Sequence, residues 1–207
     1  FDPYCRLCPR LATFLDETKE KYPDYHCGPG EPFGDKECNL LIVGLAPGMH
    51  GANATGRPFT GDYAGVLLYQ TLFDLGLSNQ PEAVRRQDGL ALRNCRLTNA
   101  VKCLPPQNKP VGAEINTCNQ FLAREIEAMP SPTVVLALGV IAHNAVLKAL
   151  GLKLSTAKFA HGAVHEIEAN LTLVDTYHCS RYNTNTRRLT EEMFVEVVTR
   201  AKELAEA

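Results

Sequence analysis

The stretch "NLLIVGLAPGMHGANATGRPFTGD", residues 39–62, joins an apolar run to a long loop rich in glycine and proline. Aliphatic side chains nearly fill residues 39–45, as expected of a strand that is buried on both faces of a parallel sheet. The glycines of residues 44–62 allow the backbone to approach a ligand closely, and Pro47 and Pro58 restrict its conformation. A loop of this length without secondary structure is more often functional than a plain connection. We therefore expect residues 44–62 to line a binding site.

Further apolar runs, and the segments between them, predict the fold class. The runs are "RLTNAV" at 96–101, "TVVLALG" at 133–139 and "LTLVDTY" at 171–177, and helical patterns cover 63–77, 112–129, 140–151 and the residues from an N-cap at Thr190 onward. Residues 162–168 alternate between apolar and polar, which predicts a short exposed strand. Strands that alternate with helices are typical of an α/β fold. We predict three αβα layers around a short, mostly parallel, four-stranded central sheet.

The length and composition are those of one domain. The 207 residues are 45% hydrophobic, which is enough for a single sizeable core. We expect one domain over 1–207, in which the polar residues 1–38 form an N-terminal arm that covers the rest. A net charge of −2 gives no general attraction to nucleic acid, although it leaves room for a local basic patch. No run approaches the ~20 apolar residues of a membrane span, so we expect no membrane contact.

The cysteines favour a metal or redox site over a disulfide framework. The chain has eight cysteines and no signal-peptide pattern, which indicates a reducing compartment, and we expect the cytoplasm. Cys5 and Cys8 form a C-x-x-C motif, and Cys103 and Cys118 lie far downstream. The remaining four are expected to be ordinary buried or surface thiols, namely Cys27, Cys38, Cys95 and Cys179.

Three side chains stand out at the edge of the sheet where ligands bind. Loops that leave the carboxyl ends of parallel strands gather at one edge, which brings together residues 44–62, "NAVKCLPP", "GVIAH" and "YHCSRYNTNTRR". Phe59 is either a flat platform for a ligand or a plug that anchors the loop. Asn99 offers a donor and an acceptor to a heterocycle, or it caps a turn. His178 ends the fourth strand at the same edge, although a lone histidine is usually structural.

The segment "SRYNTNTRR" is basic and rich in small polar side chains. It carries Arg181, Arg187 and Arg188 and has no acid before Glu191. Such a segment suits contact with phosphates, and a solvated basic turn is the plain alternative.

Taken together, three ordered motifs resemble the family 5 uracil-DNA glycosylases. They are "GLAPGMHGANATGRPFTGD", "LTNAVKCLPPQNKP" followed by Cys118, and "YHCSRYNTNTRRLT". The resemblance extends from Cys5 to the last helix. The related family 4 enzymes share the cysteines and the "GRPF" loop, but they have a glutamate where this chain has Leu45.

The resemblance implies a DNA repair glycosylase. Such an enzyme flips a deaminated base out of DNA and hydrolyses its N-glycosidic bond, which leaves an abasic site. The substrates would be uracil and, in a roomier pocket, hypoxanthine, xanthine or modified cytosine. The family also implies a 4Fe–4S cluster that ties the N-terminal arm to the domain, held by Cys5, Cys8, Cys103 and Cys118. We expect a monomer that acts on DNA in the nucleoid of a prokaryote.

The resemblance also assigns roles to single residues. Phe59 would stack on the flipped base, Asn99 would read its Watson–Crick edge, and His178 would stabilise the charge on the departing base. The backbone of Ala46, Pro47 and Gly48 would line the pocket. Contacts with DNA are expected from Arg57, Ser180, Arg181, Asn183 and Arg187.

The residue that activates water is less clearly implied. Other branches of the glycosylases carry an acid or an amide in the first of the three motifs, at residues 44–62, where this chain has Leu45 and Ala46. Asp62, at the end of the loop, is the nearest carboxylate and our candidate, and Asn53 is the alternative that would position the water. By resemblance, the segment 178–188 would wedge into the gap left by the flipped base. Cys179 follows the histidine where the family has proline or another small residue, which predicts a different shape for this segment.

Two other classes of function are compatible with parts of the sequence. An iron–sulfur protein that binds DNA or moves electrons without glycosylase activity would explain the cysteines and the basic segment. A small-molecule hydrolase or nucleotide-binding enzyme would explain the glycine-rich loop, but no lysine follows that loop as in a P-loop. Neither alternative explains an aromatic, an amide and a histidine at one edge.

Overall fold

A mixed sheet of six strands forms the centre of the molecule. The computed structural model describes residues 1–168 and 170–207. In chain order the strands are β1 (Phe33–Gly34), β2 (Leu40–Gly44), β3 (Cys95–Asn99), β4 (Thr133–Leu138), β5 (Val164–Glu168) and β6 (Leu171–Thr176). Across the sheet the order is β1-β3-β2-β4-β6-β5.

The four central strands are parallel, and the two edge strands are antiparallel to their neighbours. The predicted α/β class and the parallel arrangement are therefore confirmed, but the sheet has six strands instead of four. The alternating segment at 162–168 does form a strand, β5. Strand β1 was missed because two residues are too few to show any periodicity.

Helices cover both faces of the sheet. They are α1 (Pro9–Lys21), α2 (Ala52–Thr55), α3 (Tyr63–Asp74), α4 (Gly112–Glu127), α5 (Val140–Ala149), α6 (Arg181–Asn185) and α7 (Glu191–Glu206), with a 3₁₀ turn at Pro106–Asn108. Helix α7 begins after Thr190, whose hydroxyl accepts the Met193 N–H, so the predicted N-cap is confirmed. In the described part of the chain, no helix is both long and apolar enough to span a membrane.

Alternation along β2 explains the three layers. Leu40 and Ile42 face the cluster that contains residues of α3 and α7, whereas Leu41 and Val43 face the cluster that contains residues of α4 and α5. Successive side chains of a strand point to opposite faces, so one fully apolar strand serves both layers.

The N-terminal segment packs beside α4. Leu11 of α1 belongs to a small buried cluster with Val101, Cys118 and Phe121. The Arg10 guanidinium donates to both carboxylate oxygens of Glu114, at 2.7 and 2.8 Å. Further along, β1 adds to the sheet edge, so the segment 1–38 contributes a strand in addition to covering the domain.

Two segments that we expected to be loops contain short helices. Helix α2 lies inside residues 44–62 and ends at Gly56, whose φ of +74° only glycine adopts readily. Helix α6 lies inside the basic segment and is capped by Ser180. Both helices are too short to produce a helical pattern of apolar residues.

Candidate active site

The carboxyl ends of β2, β3, β4 and β6 surround a cavity of about 490 Å³. All four loops that the sequence places at this edge contribute to its wall. Among the predicted base-binding residues, Ala46, Gly48, Phe59 and Asn99 line this cavity, and His178 lies in the same wall. The structure therefore brings the aromatic, the amide and the histidine to one cavity.

The end of β2 is shaped to hold Phe59 and Asn99 side by side. A Cβ on Gly44 would lie 2.4 Å from a Phe59 ring carbon and 2.5 Å from the Asn99 Oδ1. Phe59 adopts a φ of +56° and also packs against the core, so it is both a cavity wall and an anchor of the loop. Gly65 lets the Phe59 carbonyl rest on α3, because a Cβ there would lie 1.8 Å from it.

Burial keeps His178 neutral. Desolvation lowers the pKa of its imidazole to about 4, so the ring carries no charge at neutral pH. The His178 ring lies 6.5 Å from the Phe59 ring, measured between centroids. Asn183 fixes the adjoining backbone, since its Nδ2 donates to the His178 carbonyl at 2.8 Å. A neutral imidazole at this place can donate a hydrogen bond to a ligand oxygen.

Asp62 is the one carboxylate among the described residues that line the cavity. Its Oδ2 accepts the N–H of Ala52 at 3.0 Å, and burial raises its pKa. Gly48 and Gly51 make room for it, because a Cβ at those positions would lie 2.4 and 1.9 Å from its Oδ1.

Asn53, the alternative to Asp62, lies behind the loop. It is fully buried, its Nδ2 is 3.5 Å from the Cys27 Sγ, and it is absent from the cavity wall in the described structure. The turn of α2 directs this side chain toward the N-terminal segment. The placement does not suit the predicted role of Asn53 in positioning water.

Two more predicted residues lie away from the cavity. Arg57 is only 4% exposed, and its guanidinium donates to both carboxylate oxygens of Asp88 at 2.9 and 2.7 Å. The structure thus places Arg57 in an internal ion pair, a position that does not favour the predicted contact with DNA. Pro47 is also buried, and it packs near Gly30 of the N-terminal segment instead of lining the cavity.

Basic and polar side chains surround the mouth of the cavity. Ser180, Arg181 and Asn183, which the sequence predicts to contact DNA, line it, and the Ser180 Oγ accepts the Asn183 N–H at 3.4 Å. Arg187 lies in a neighbouring groove between α3 and α7. The guanidinium of Arg181 lies over the Tyr63 ring, with its Cζ 4.8 Å from the ring centroid.

The four cysteines assigned to the cluster line a second cavity, beside α1 and α4. All four are free thiols. A single tetrahedral zinc would hold its sulfurs about 3.8 Å apart, given Zn–S bonds of about 2.3 Å. Among the described residues, no three cysteine sulfurs lie within 4.8 Å of one another. The described sulfurs therefore lie farther apart than the ligands of a single zinc ion.

Burial and neighbouring cysteines shape the chemistry of this donor set. Burial, with a smaller effect from the other three cysteines, raises the pKa of Cys103 to about 12. Four thiolates could share this space only with a compensating positive charge, which iron would supply. The backbone N–H of Lys102 donates to the Cys118 Sγ at 3.3 Å, a contact typical of sulfur ligands to metal.

A sequence comparison assigns the chain that forms this cavity to a known family. A family model described as "Uracil DNA glycosylase superfamily" matches residues 31–202. The chain belongs to the uracil-DNA glycosylase superfamily. The resemblance to this superfamily that the motifs predicted is thereby confirmed, and the α/β fold agrees with it.

The curated relatives narrow the position within the superfamily. A Type-5 uracil-DNA glycosylase of Thermus thermophilus is 45% identical over 206 residues, which cover 97% of this chain and 94% of the relative. One from Pyrobaculum aerophilum is 44% identical, over 95% of this chain and 87% of the relative. A Type-4 uracil-DNA glycosylase of Archaeoglobus fulgidus is 32% identical, over 84% and 75%. The chain is thus similar to both types, and the predicted family 5 resemblance is confirmed.

Several residues at the glycosylase cavity were missing from the predicted site. Tyr63, Asn108, Tyr177 and Arg188 line it, and Tyr182 of α6 is 71% exposed and follows Arg181 in the chain. The Arg188 guanidinium lies over the Tyr177 ring, with its Cζ 4.6 Å from the centroid. An aromatic residue inside a basic polar segment was the available signal for Tyr182. Asn108 lies in the 3₁₀ turn with a φ of +55°, which the adjacent prolines and amides of "PPQN" could have indicated.

Proposed function

We propose that the cavity receives one flipped base from DNA and that the enzyme hydrolyses its N-glycosidic bond, leaving an abasic site. The observation that carries the proposal is the meeting of Phe59, Asn99 and His178 in one cavity, below a mouth with arginines. These side chains come from three separate parts of the chain, namely the long loop, the end of β3 and the segment after β6. Each supplies a separate requirement of the reaction, namely stacking, recognition and stabilisation of charge.

Recognition begins with extrusion of the base, which costs a few kcal/mol of lost stacking and pairing. Stacking on an aromatic ring returns about 1–3 kcal/mol and accepts more than one base. The Asn99 amide offers both a donor and an acceptor to the Watson–Crick edge. The cavity of about 490 Å³ has room for a purine, so we include hypoxanthine, xanthine and modified cytosine with uracil as substrates.

Departure of the base places negative charge on its oxygen, and His178 is positioned to donate a hydrogen bond there. A donor aimed at a developing oxyanion contributes about 2.7–4 kcal/mol. The low pKa of His178 means that it acts as a neutral donor and not as an acid. Asp62 remains the candidate for activating the water, because it is the one carboxylate among the described residues of this wall.

The mouth would hold the DNA backbone around the extruded nucleotide. Ser180, Arg181 and Asn183 are proposed to contact phosphates, joined by Arg188, while Arg187 would contact DNA farther along the adjacent groove. Tyr182 projects from α6 and is proposed to fill the gap left in the base stack. All these groups come from one chain, so we expect a monomer to be active. Because its substrate is DNA, we expect it to act in the compartment that holds the DNA.

We further propose that Cys5, Cys8, Cys103 and Cys118 hold a 4Fe–4S cluster. When bound, this group supplies metal–thiolate bonds that join the arm at 1–38 to the single domain. The chain itself contributes the thiols and the Lys102 N–H that donates to Cys118. Equal amounts of iron and acid-labile sulfide in the purified protein would support this cofactor.

The experiment that tests the function is release of uracil from a uracil-containing oligonucleotide. We expect free uracil and strand cleavage after heating in alkali, because only a glycosylase leaves an abasic site. His178→Ala should reduce the single-turnover rate by about 10²–10³-fold. The rate of the parent should show no His178 titration near the ordinary value of 6.5, because the folded pKa is about 4.

Two outcomes would contradict the proposal. DNA binding without abasic product would favour the alternative, an iron–sulfur DNA-binding protein without glycosylase activity. Equal rates for the parent and His178→Ala would remove the role given to that residue and leave the rest of the proposal standing.

A further inference from the structure

A buried lysine follows the strand that carries Asn99, and the proposed reaction does not use it. Lys102 is only 3% exposed. Lysine is almost never fully buried unless its ammonium is paired, so such a residue needs an explanation.

The Lys102 ammonium binds three groups at the end of β3. It forms a salt bridge with Glu125 of α4, at 2.9 Å to Oε1 and 3.0 Å to Oε2. It donates to the backbone carbonyl of Asn99 at 2.8 Å and also to the Thr98 hydroxyl. The ammonium has three donors, and these contacts use all of them.

The Lys102 backbone connects the same point to the cysteine cavity and to the N-terminal segment. Its N–H donates to the Cys118 Sγ at 3.3 Å, and its carbonyl accepts the Gly30 N–H at 2.7 Å. Cys103 is the next residue. One residue therefore contacts a proposed cluster ligand, the arm and the residue proposed to read the base.

The side chain of Asn99 has little freedom to move without consequence. Its Oδ1 lies so close to Gly44 that a Cβ there would be 2.5 Å away, with the Phe59 ring equally near. Strand β3 ends at Asn99. The next two residues are still held to the end of β2 by backbone hydrogen bonds, because the Ala100 N–H donates to the Gly44 carbonyl and the Val101 N–H donates to the Leu45 carbonyl. A shift of the Asn99 backbone would move its amide relative to a base stacked on Phe59.

We propose that Lys102 is a positioning residue, which holds the Asn99 amide in register with the flipped base. The proposal rests on the function given above. The Glu125 carboxylate offsets the cost of removing the Lys102 ammonium from water. Lys102 is absent from the described residues of the cavity wall, so it would act through Asn99.

The test removes the ion pair without leaving a lone buried charge. Lys102→Met combined with Glu125→Gln should lower kcat/KM for uracil release by about 10- to 100-fold, because small misplacements of a positioning group cost this much. Affinity for an oligonucleotide with non-cleavable 2′-fluoro-deoxyuridine should fall, whereas affinity for uracil-free DNA should stay the same. Lys148→Met, at an exposed lysine of α5, is the matched control and should match the parent.

A double-mutant cycle with Asn99→Ala separates positioning from a general structural effect. If Lys102 acts through Asn99, the paired substitution should cost little further activity once the amide is gone. Effects that multiply would overturn the proposal. Lys102→Gln with Glu125→Gln is the second variant, because its amide can still donate to a carbonyl; it should recover part of the lost activity, and no recovery would count against the proposal.

Iron content and parent activity keep the two proposals apart. The paired variant should retain its iron, because the backbone N–H to Cys118 is unchanged. A parent that releases no uracil would refute the proposed function. If the parent is active but the effects of the paired substitution and of Asn99→Ala multiply, the role of Lys102 is refuted and the proposed function stands.

Discussion

Asp62 illustrates how one side chain depends on the glycines around it. Its carboxylate lies against Gly48 and Gly51 and accepts the Ala52 N–H, which orients it at the cavity wall. Burial raises its pKa because the charged form loses hydration. A carboxylate of raised pKa beside a cavity is a candidate for accepting a proton from water.

Replacement of this carboxylate tests the proposed role. Asp62→Asn keeps the shape and can still accept the Ala52 N–H, but it cannot take a proton. We expect a loss of about 10²–10⁴-fold in the single-turnover rate. The rate of the parent should rise with pH through the raised pKa of Asp62, and this acid limb should be missing in the variant.

The matched control is Asp74→Asn, at an exposed acid near the end of α3 that contacts only Gln70 among the described residues. It should behave as the parent. An unchanged rate in Asp62→Asn would show that water is oriented by another group.

Position along a strand made some site residues predictable from the sequence. Asn99 and His178 lie at or just after strand ends, and the fold class alone brings such residues to one edge. Asn53 and Arg57 lie inside the long loop, where the direction of a side chain depends on the turn of α2 and on the distant Asp88. The sequence pattern contains neither kind of information, so it could not show that these two side chains lie away from the cavity.

At the level of elements, a buried ion pair stabilises the long loop at residues 44–62. Arg57 and Asp88 are 4% and 10% exposed, and Asp88 also accepts the N–H groups of Val84, Arg85 and Leu90. The Arg57 guanidinium also lies over the Phe33 ring of β1, with its Cζ 4.9 Å from the centroid. The pair connects the loop to the segment before β3.

Loss of one partner of this pair should destabilise the fold and leave DNA contacts unchanged. Arg57→Met should lower the free energy of unfolding by about 3 kcal/mol, the lower part of the range for a broken buried pair, since Asp88 keeps its backbone donors. Urea denaturation measures this change.

Arg85→Met, at an exposed arginine of the same segment, is the control and should stay within about 0.5 kcal/mol of the parent. The dependence of DNA affinity on salt should be the same in Arg57→Met and the parent. A salt slope that fell by about one in Arg57→Met would restore Arg57 as a phosphate contact.

Long elements were predictable and short ones were not. The parallel strands and α3, α4, α5 and α7 have enough residues for their apolar periods to be read. Strand β1 and helices α2 and α6 have between two and five residues, and they form because neighbouring segments hold them. The exposed aromatic on α6 was overlooked for the same reason.

At the scale of the whole molecule, stability depends on a network of Asp175 and two histidines behind the cavity wall. Asp175 of β6 accepts His143 Nδ1 at 2.7 Å and His165 Nε2 at 3.0 Å, and His143 Nε2 lies 3.1 Å from the Ala157 carbonyl. Burial opposes the charged form of His143, but Asp175 outweighs it and raises the pKa. The Phe159 ring, which lines the cavity, packs edge-on against His143.

This network should make stability depend on pH. A histidine whose pKa is higher in the folded state contributes stability below its ordinary value of 6.5, and that contribution is lost as pH rises through the folded pKa. His143→Gln removes the titration, so the difference in unfolding free energy between parent and variant should shrink as pH rises above 6.5. Urea denaturation at a series of pH values measures it, and a constant difference would show that the pair carries no linked proton.

The stacked arginines have a consequence for the search along undamaged DNA. Arg181 rests on Tyr63 and Arg188 on Tyr177, so both guanidinium groups have given up much of their rotational freedom before any nucleic acid arrives. One flat face of each guanidinium is occupied, which leaves the N–H edges free for the phosphate contacts that we propose. If these arginines contact DNA as we propose, the enzyme would not have to order them again at each of the many intact nucleotides that it meets for every damaged one.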